Sequence, residues 1–441
     1  MHKRWFLLCL ALITGCTPSV FEESPEYPPI FPDYTEVTVP DGLAPLNFTM
    51  ADGRNFKVEQ KSVGDTVWYK VKAWNKGDKS GVSYAAFPIY ISHDPIDPYI
   101  VYRLIEPGYE SWHNMGIYQR ELSSFSESEI VTNKINDLGC VNCHTFPERS
   151  PARMLFHARG KGGGTVIVDN GQAKLVNLAE TGIRRQGTYP AWHPSGRYVA
   201  FSSNTTKQNF TVNHQQPIEV YDTESDIMIL DTGTDQTFSC PQLITKNSLE
   251  TFPGWSEDGS VLYYCCADTV GDIVADRGRL HYRLMSIGFN QGVFDEEPET
   301  VFSSDSCSVS FPRVNGKYIL FTSSDFGTFP IWHREADLQL LDIETGVVKE
   351  AAELNSPDTE SYHSWSSNGR WVVFSSRRLD GRYTRLFIAH FDGEGNFGKP
   401  FLLPQKRPSD NTLRLKSYNI PEFVGGKVGV KESEIAKLFE R

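Results

Sequence analysis

The sequence predicts an all-β protein, a β-propeller of four-stranded antiparallel blades, and two observations carry that prediction. One pattern recurs at a blade-sized period, and each copy has the turn chemistry and strand composition of an antiparallel hairpin. The copies run from Tyr189, Phe252 and Tyr362, each with a tryptophan three residues on (Trp192, Trp255, Trp365) and a turn glycine after it (Gly196, Gly259, Gly369). A fourth copy from Phe311 is two residues shorter and keeps its turn at Gly316. The glycines at 196, 259, 316 and 369 are 63, 57 and 53 residues apart, the length of a four-stranded unit with variable loops.

Each unit reads as a short inner strand, a turn in which Ser, Asn or Asp precedes Gly so that φ can turn positive, and an aromatic and β-branched strand. Second hairpins follow at Leu338–Val348 and Arg385–Gly393. These units resemble the propeller blades of the TolB and WD40-like family, often called PD40 repeats. A single blade cannot bury both faces, so blades stack about an axis and close.

Taken from the N-terminus, His2-Lys3-Arg4 and the apolar run Trp5 to Ile13 form a signal peptide over 1–15, too short to span a bilayer once mature. Ile13-Thr14-Gly15-Cys16 resembles the lipobox of bacterial lipoproteins, which implies lipidation at Cys16 and a tether in the cell envelope, at the outer membrane, facing periplasm or surface. Residues 16–45, with Pro18, Pro25, Pro28, Pro29, Pro32 and Pro40, read as the lipidated cysteine and an extended linker. The propeller is expected over 46–423. Phe87–Ser92, Tyr99–Ile105 and Gly116–Leu122 read as strands of a first blade, which with a blade around 140–159 and the four repeats makes six; five or seven are the alternatives. Residues 424–441 are expected to be a C-terminal tail, with a short amphipathic helix from Val430. The net charge of −12 argues against a nucleic-acid partner.

The sharpest chemical signal is Cys140-Val141-Asn142-Cys143-His144. Two thiols at this spacing suit thioether bonds to the vinyl groups of one covalent haem c, with His144 as the proximal iron ligand, and export matches c-type attachment. A disulfide or a metal site is the alternative. Aligned on the repeat, Cys143-His144 falls where the next unit has Trp192-His193. Met154 and His157 are the candidates for the second axial ligand, but they alternate on one strand, so only one can face the iron; either is equally a core residue. His193 is a third candidate, and His333 and His363 are more distant ones that read better as loop or channel histidines. Cys240, Cys265, Cys266 and Cys307 permit disulfides in an oxidising compartment and are equally at home as buried thiols.

The lipobox, Ala44–Phe48, Tyr102–Tyr109, the CVNCH motif and the blades together resemble a group of Bacteroidetes lipoproteins described as TolB-like or cytochrome c-like. That resemblance implies haem, propeller and export, not a reaction. Three functions are open: electron transfer or redox relay, with a redox partner; a binding module for protein or glycan with an auxiliary haem; and a peroxidase-like haem enzyme. No GxSxG nucleophile elbow is present, so a hydrolase is not indicated, and no catalytic residue is nominated.

Overall fold

The structure is a computed structural model that describes residues 17–106, 114–160, 162–180, 187–210 and 218–440. The signal peptide and Cys16 lie outside the described residues. Within them the all-β expectation holds: six antiparallel sheets of four or five strands follow one another. Their innermost strands are Val141–Thr145, Thr188–Trp192, Ser248–Trp255, Ser308–Asn315, Glu360–Trp365 and Ser417–Val424. Each touches the next, and the last touches the first, so the sheets surround one axis as a β-propeller. The innermost strand of the first sheet comes from the far end of the chain: Ser417–Val424 pairs antiparallel with Tyr99–Ile105.

All six innermost strands carry the same irregularity. Pairing with the second strand breaks at one two-residue step in each: Cys143-His144, Tyr189-Pro190, Phe252-Pro253, Phe311-Pro312, Tyr362-His363 and Ile420-Pro421. The first residue of every step is left-handed, with φ of 55°, 48°, 50°, 53°, 48° and 51° in that order. A non-glycine residue held there costs of order 1–3 kcal/mol, so six repetitions mark a conformation that the packing enforces. The bulge re-aims the side chain, and the rings show where: Tyr189 to Phe252 are 4.4 Å apart, Phe252 to Phe311 4.1 Å and Phe311 to Tyr362 4.8 Å. They plug the axis. Proline is tolerated at the second residue of four steps because a bulged residue donates no ladder hydrogen bond.

Residues 17–45 depart from the expected linker. Val20–Glu23 pairs parallel with Ser80–Ser83, and Thr38–Pro40 pairs parallel with Phe87–Ser92, within a six-stranded sheet built on Thr66–Trp74. Phe87–Ser92, read as part of the first blade, belongs to this sheet instead. Tyr34 and Val37 are fully buried, in a core shared with Trp371, Phe387 and Phe401 of the last blade. Proline-rich composition suggested a solvated stalk, yet short edge strands tolerate proline and bury what lies between them. The C-terminal tail also packs: helix Glu432–Ala436 buries Ile435 against the first two blades, and the Glu432 carboxylate accepts from the Thr132 amide and hydroxyl at 2.7 Å each.

A buried ion cluster ties the long strand Ile218–Asp231 to the loop after Ser324. His333 sits 3.3 Å from Glu219 through Nε2 and 2.8 Å from Glu335 through Nδ1, and the two carboxylates hold its pKa up at about 9 against the burial that opposes it. Because the folded value lies above that of a free imidazole, the contribution is complete below about pH 6.5 and disappears as pH rises through 9. The shift corresponds to about 3 kcal/mol. Urea unfolding of His333→Gln is therefore expected to show a deficit of that order at pH 6 and almost none at pH 10; an equal deficit at both would remove the charge from the explanation.

Candidate functional site

The common bulge sets the register of every functional residue. Counting from it, Cys143 corresponds to Tyr189, Phe252, Phe311, Tyr362 and Ile420, and Phe146 to Trp192. The sequence alignment that put Cys143-His144 on Trp192-His193 is thus three residues out. The cause is local: the haem-motif strand lacks the proline that marks four of the other steps, so only the backbone reveals its register.

The three motif residues are buried, Cys140 at 4%, Cys143 at 3% and His144 at 1% exposure. Cys140 lies in the apolar cluster between the first two blades with Val141, Met154 and Phe156. Cys143 takes a ring position in the axial plug, and burial raises its thiol pKa despite Arg159 and Arg103 nearby, so it is a protonated, weakly nucleophilic thiol. His144 takes the position that is proline in four strands. The ring is turned toward the backbone of Val101 and Ile420 of the preceding blade, with neither nitrogen in a well-formed hydrogen bond. His363 occupies the equivalent position two blades before it in the ring. It donates from Nε2 to the Leu320 carbonyl at 2.8 Å, facing the matching pair Leu320 and Phe311. Burial pushes both imidazoles down to about 3, so both are neutral.

These positions decide how a haem relates to the folded chain. The donor set suits it: two unbridged thiols and a neutral imidazole with unpartnered nitrogens. The arrangement does not, because one thiol is in the interblade core, the other is in the axial plug, and the imidazole fills a packing position that recurs at His363 without any cysteine. A porphyrin bonded to both thiols would displace this innermost strand. Of the second-ligand candidates, Met154 shares the cluster of Cys140 while His157 faces the other way, with Nδ1 3.2 Å from the Thr165 hydroxyl. Both nitrogens of His193 have partners, Ser195 at 2.8 Å and the Gly259 carbonyl at 3.0 Å. Cys240, Cys265, Cys266 and Cys307 form no disulfide among the described residues. Among the described residues no three His, Cys, Asp or Glu side chains come together to hold a metal, so the motif lacks the companion ligands of a zinc site.

The residues beyond the bulge build the open part of the axis. On the face where the innermost strands end there is a cavity of about 520 Å³. Its wall is one residue from each blade, three past the bulge: Phe146, Trp192, Trp255, Val314, Trp365 and Phe423. Two indoles are locked to the preceding blade, Trp255 Nε1 donating to the Ala191 carbonyl and Trp365 Nε1 to the Arg313 carbonyl, each at 3.1 Å. Trp192 follows the haem-motif blade, and its Nε1 is buried without a partner. One residue earlier in each strand stands a polar layer that includes Thr145, Arg313, Ser364 and Glu422. Burial raises the Glu422 carboxyl to about 7, opposed by Arg313, Thr145 and the Phe146 amide, which donates to it at 3.2 Å. Burial lowers the Arg313 guanidinium in turn. The tryptophans that mark the repeat in the sequence therefore wall a cavity; the polar layer had no signal beyond its fixed offset from the bulge.

No protein-family model and no curated protein matches the chain. Among solved structures it is similar to puromycin hydrolase, at 11% identity over 82% of this chain and 56% of that one, TM-score 0.38. It is also similar to prolyl oligopeptidase B from Galerina marginata, at 8% identity over 76% and 43%, TM-score 0.37. The β-propeller domain of the Trilobed protease from Pyrococcus furiosus is matched at 11% identity over 79% of this chain and 97% of that one, TM-score 0.33. The chain thus spans about half the length of the first two enzymes. These are likenesses of fold.

Proposed function

We propose that this chain is an exported, lipid-anchored propeller that works as a binding module, with a small polar ligand, a glycan or the end of a peptide, held in the cavity where the innermost strands end. One observation carries the reading: six blades each contribute a wall residue and a floor residue to a single cavity of a volume that suits a small ligand, with the Arg313 guanidinium and the Glu422 carboxyl at its floor. Tethering through Cys16 follows from the lipobox and keeps that mouth in the envelope. Trp192, Trp255 and Trp365 report on the site. Titrating a panel of neutral oligosaccharides and short peptides against tryptophan fluorescence is expected to give a saturable change with one class. Arg313→Met and Glu422→Gln should weaken it about tenfold or more, since each removes a hydrogen-bonding partner from a desolvated site. A panel without a saturable response, or one whose response survives both substitutions, would contradict the reading.

The second reading is covalent haem c on Cys140 and Cys143 with His144 on the iron, and its support is the chemistry of the motif together with the unpartnered nitrogens of His144. When bound, the group would supply one-electron transfer, or peroxide chemistry if a coordination position stayed open. In the folded chain the three residues are sealed, so attachment would have to precede closure of the innermost strand.

A further inference from the structure

On the opposite face, where the innermost strands begin, three arginines approach the axial plug from consecutive blades. Arg377 directly follows the second strand of the last blade, its amide bonded to the Thr359 carbonyl. Arg103 lies on the second strand of the first blade, paired with Asn419, the residue before the bulge. Arg159 directly follows the second strand of the next, its amide donating to the Cys140 carbonyl at 2.8 Å. Arg103 and Arg377 are 6% and 2% exposed, and their Nε groups have no hydrogen-bond partner among the described residues. Neither forms an ion pair among the described residues. The guanidinium of Arg377 instead lies 3.4 Å from the centroid of the Trp332 ring. Arg103 has one side-chain bond, from Nη2 at 3.1 Å to the Asn419 amide oxygen once that amide is turned to face it.

The groups share neighbours. Arg103 and Arg377 both act on the Tyr362 hydroxyl, and Arg103 and Arg159 both act on the Cys143 thiol. Three acids bear on this cluster: Asp222, buried and already engaged by Thr206 at 2.7 Å and by Asn204, and Asp358 and Asp380, which act on Arg377. Guanidinium stays charged in proteins, and a buried charge without a partner is among the costliest arrangements a fold can contain. Its fork geometry matches the paired oxygens of a carboxylate or phosphate.

We propose that this face holds an anion site, in which Arg103, Arg159 and Arg377 bind a carboxylate or phosphate group directly above the axial plug. The anion is a free small molecule.

The test uses the mature full chain, with inorganic phosphate and succinate as probes and chloride at equal ionic strength as the control, read by thermal midpoint and by calorimetry. At least one probe is expected to bind saturably and raise the midpoint. Arg377→Gln and Arg103→Gln should weaken it about tenfold or more, while Arg377→Lys, which keeps the charge and loses the fork, should fall between. Should both glutamine variants fail to fold, the lysine variant still decides. No response to either probe, or an equal one in all the arginine variants, would overturn the proposal.

Discussion

A chain ended at Lys416 is expected not to fold into a stable propeller. Residues Ser417–Val424 form the innermost strand of the first sheet, so their loss leaves Tyr99–Ile105 as an open edge and breaks the ring between the last blade and the second. It also exposes the partners of Tyr418, Phe423 and Val424, all at most 3% exposed. Ring closure couples every blade to two neighbours, and opening it removes two interfaces at once. A milder version is Arg385→Met. That buried guanidinium donates to the carbonyls of Thr384, Asn411, Arg414 and Lys416 between 2.6 and 3.0 Å, fixing the turn that delivers the closing strand. Leaving those carbonyls unpaired is expected to cost about 3–5 kcal/mol. Circular dichroism melts of both variants measure this; a truncated chain with a native, cooperative melt would show that the ring does not depend on its last strand.

The second large effect is expected at the axis. Phe252→Ala or Phe311→Ala should cost about 3–5 kcal/mol, the usual range for emptying a buried phenylalanine site, and should sit at the upper end because rings from opposite sides of the axis cannot all move in to fill the gap. Cys143→Ala, at the equivalent position, removes one sulfur atom and is expected to cost only about 1 kcal/mol. Chemical denaturation separates the two cases. If Cys143→Ala cost as much as the phenylalanine variants, Cys143 would be doing something that ring packing does not describe.

The repeats were legible because their signals are local. An aromatic residue, a tryptophan three positions on and a glycine turn are set by one hairpin, and they recur whenever the hairpin does. Register in the haem-motif blade was not, since Cys143-His144 replaces the aromatic-proline pair. The closing strand carries a sign of its own in the sequence: Ile420-Pro421-Glu422-Phe423 repeats the order of Tyr189-Pro190-Ala191-Trp192. The N-terminal sheet was illegible for another reason. Its outer strands are four and three residues long and pair in parallel with distant partners, so neither periodicity nor turn chemistry announces them. The cavity floor and the arginine cluster are properties of stacking. Arg103, Arg159 and Arg377 are unremarkable in sequence and come to the same face only because three consecutive blades present their second strands to one axis.

The CxxCH pentapeptide is where local chemistry and global packing disagree, and the disagreement is measurable. The decisive observation is the intact mass, with the visible absorption spectrum, of the mature protein exported by a host that attaches c-type haem. An innermost strand that closes with no group attached predicts the mass of the bare polypeptide with its lipid, no haem absorption, and Cys140 and Cys143 that become alkylatable only on unfolding. A mass greater by one haem, lost in Cys140→Ala/Cys143→Ala, would contradict the sealed strand and make the motif the centre of the protein's chemistry.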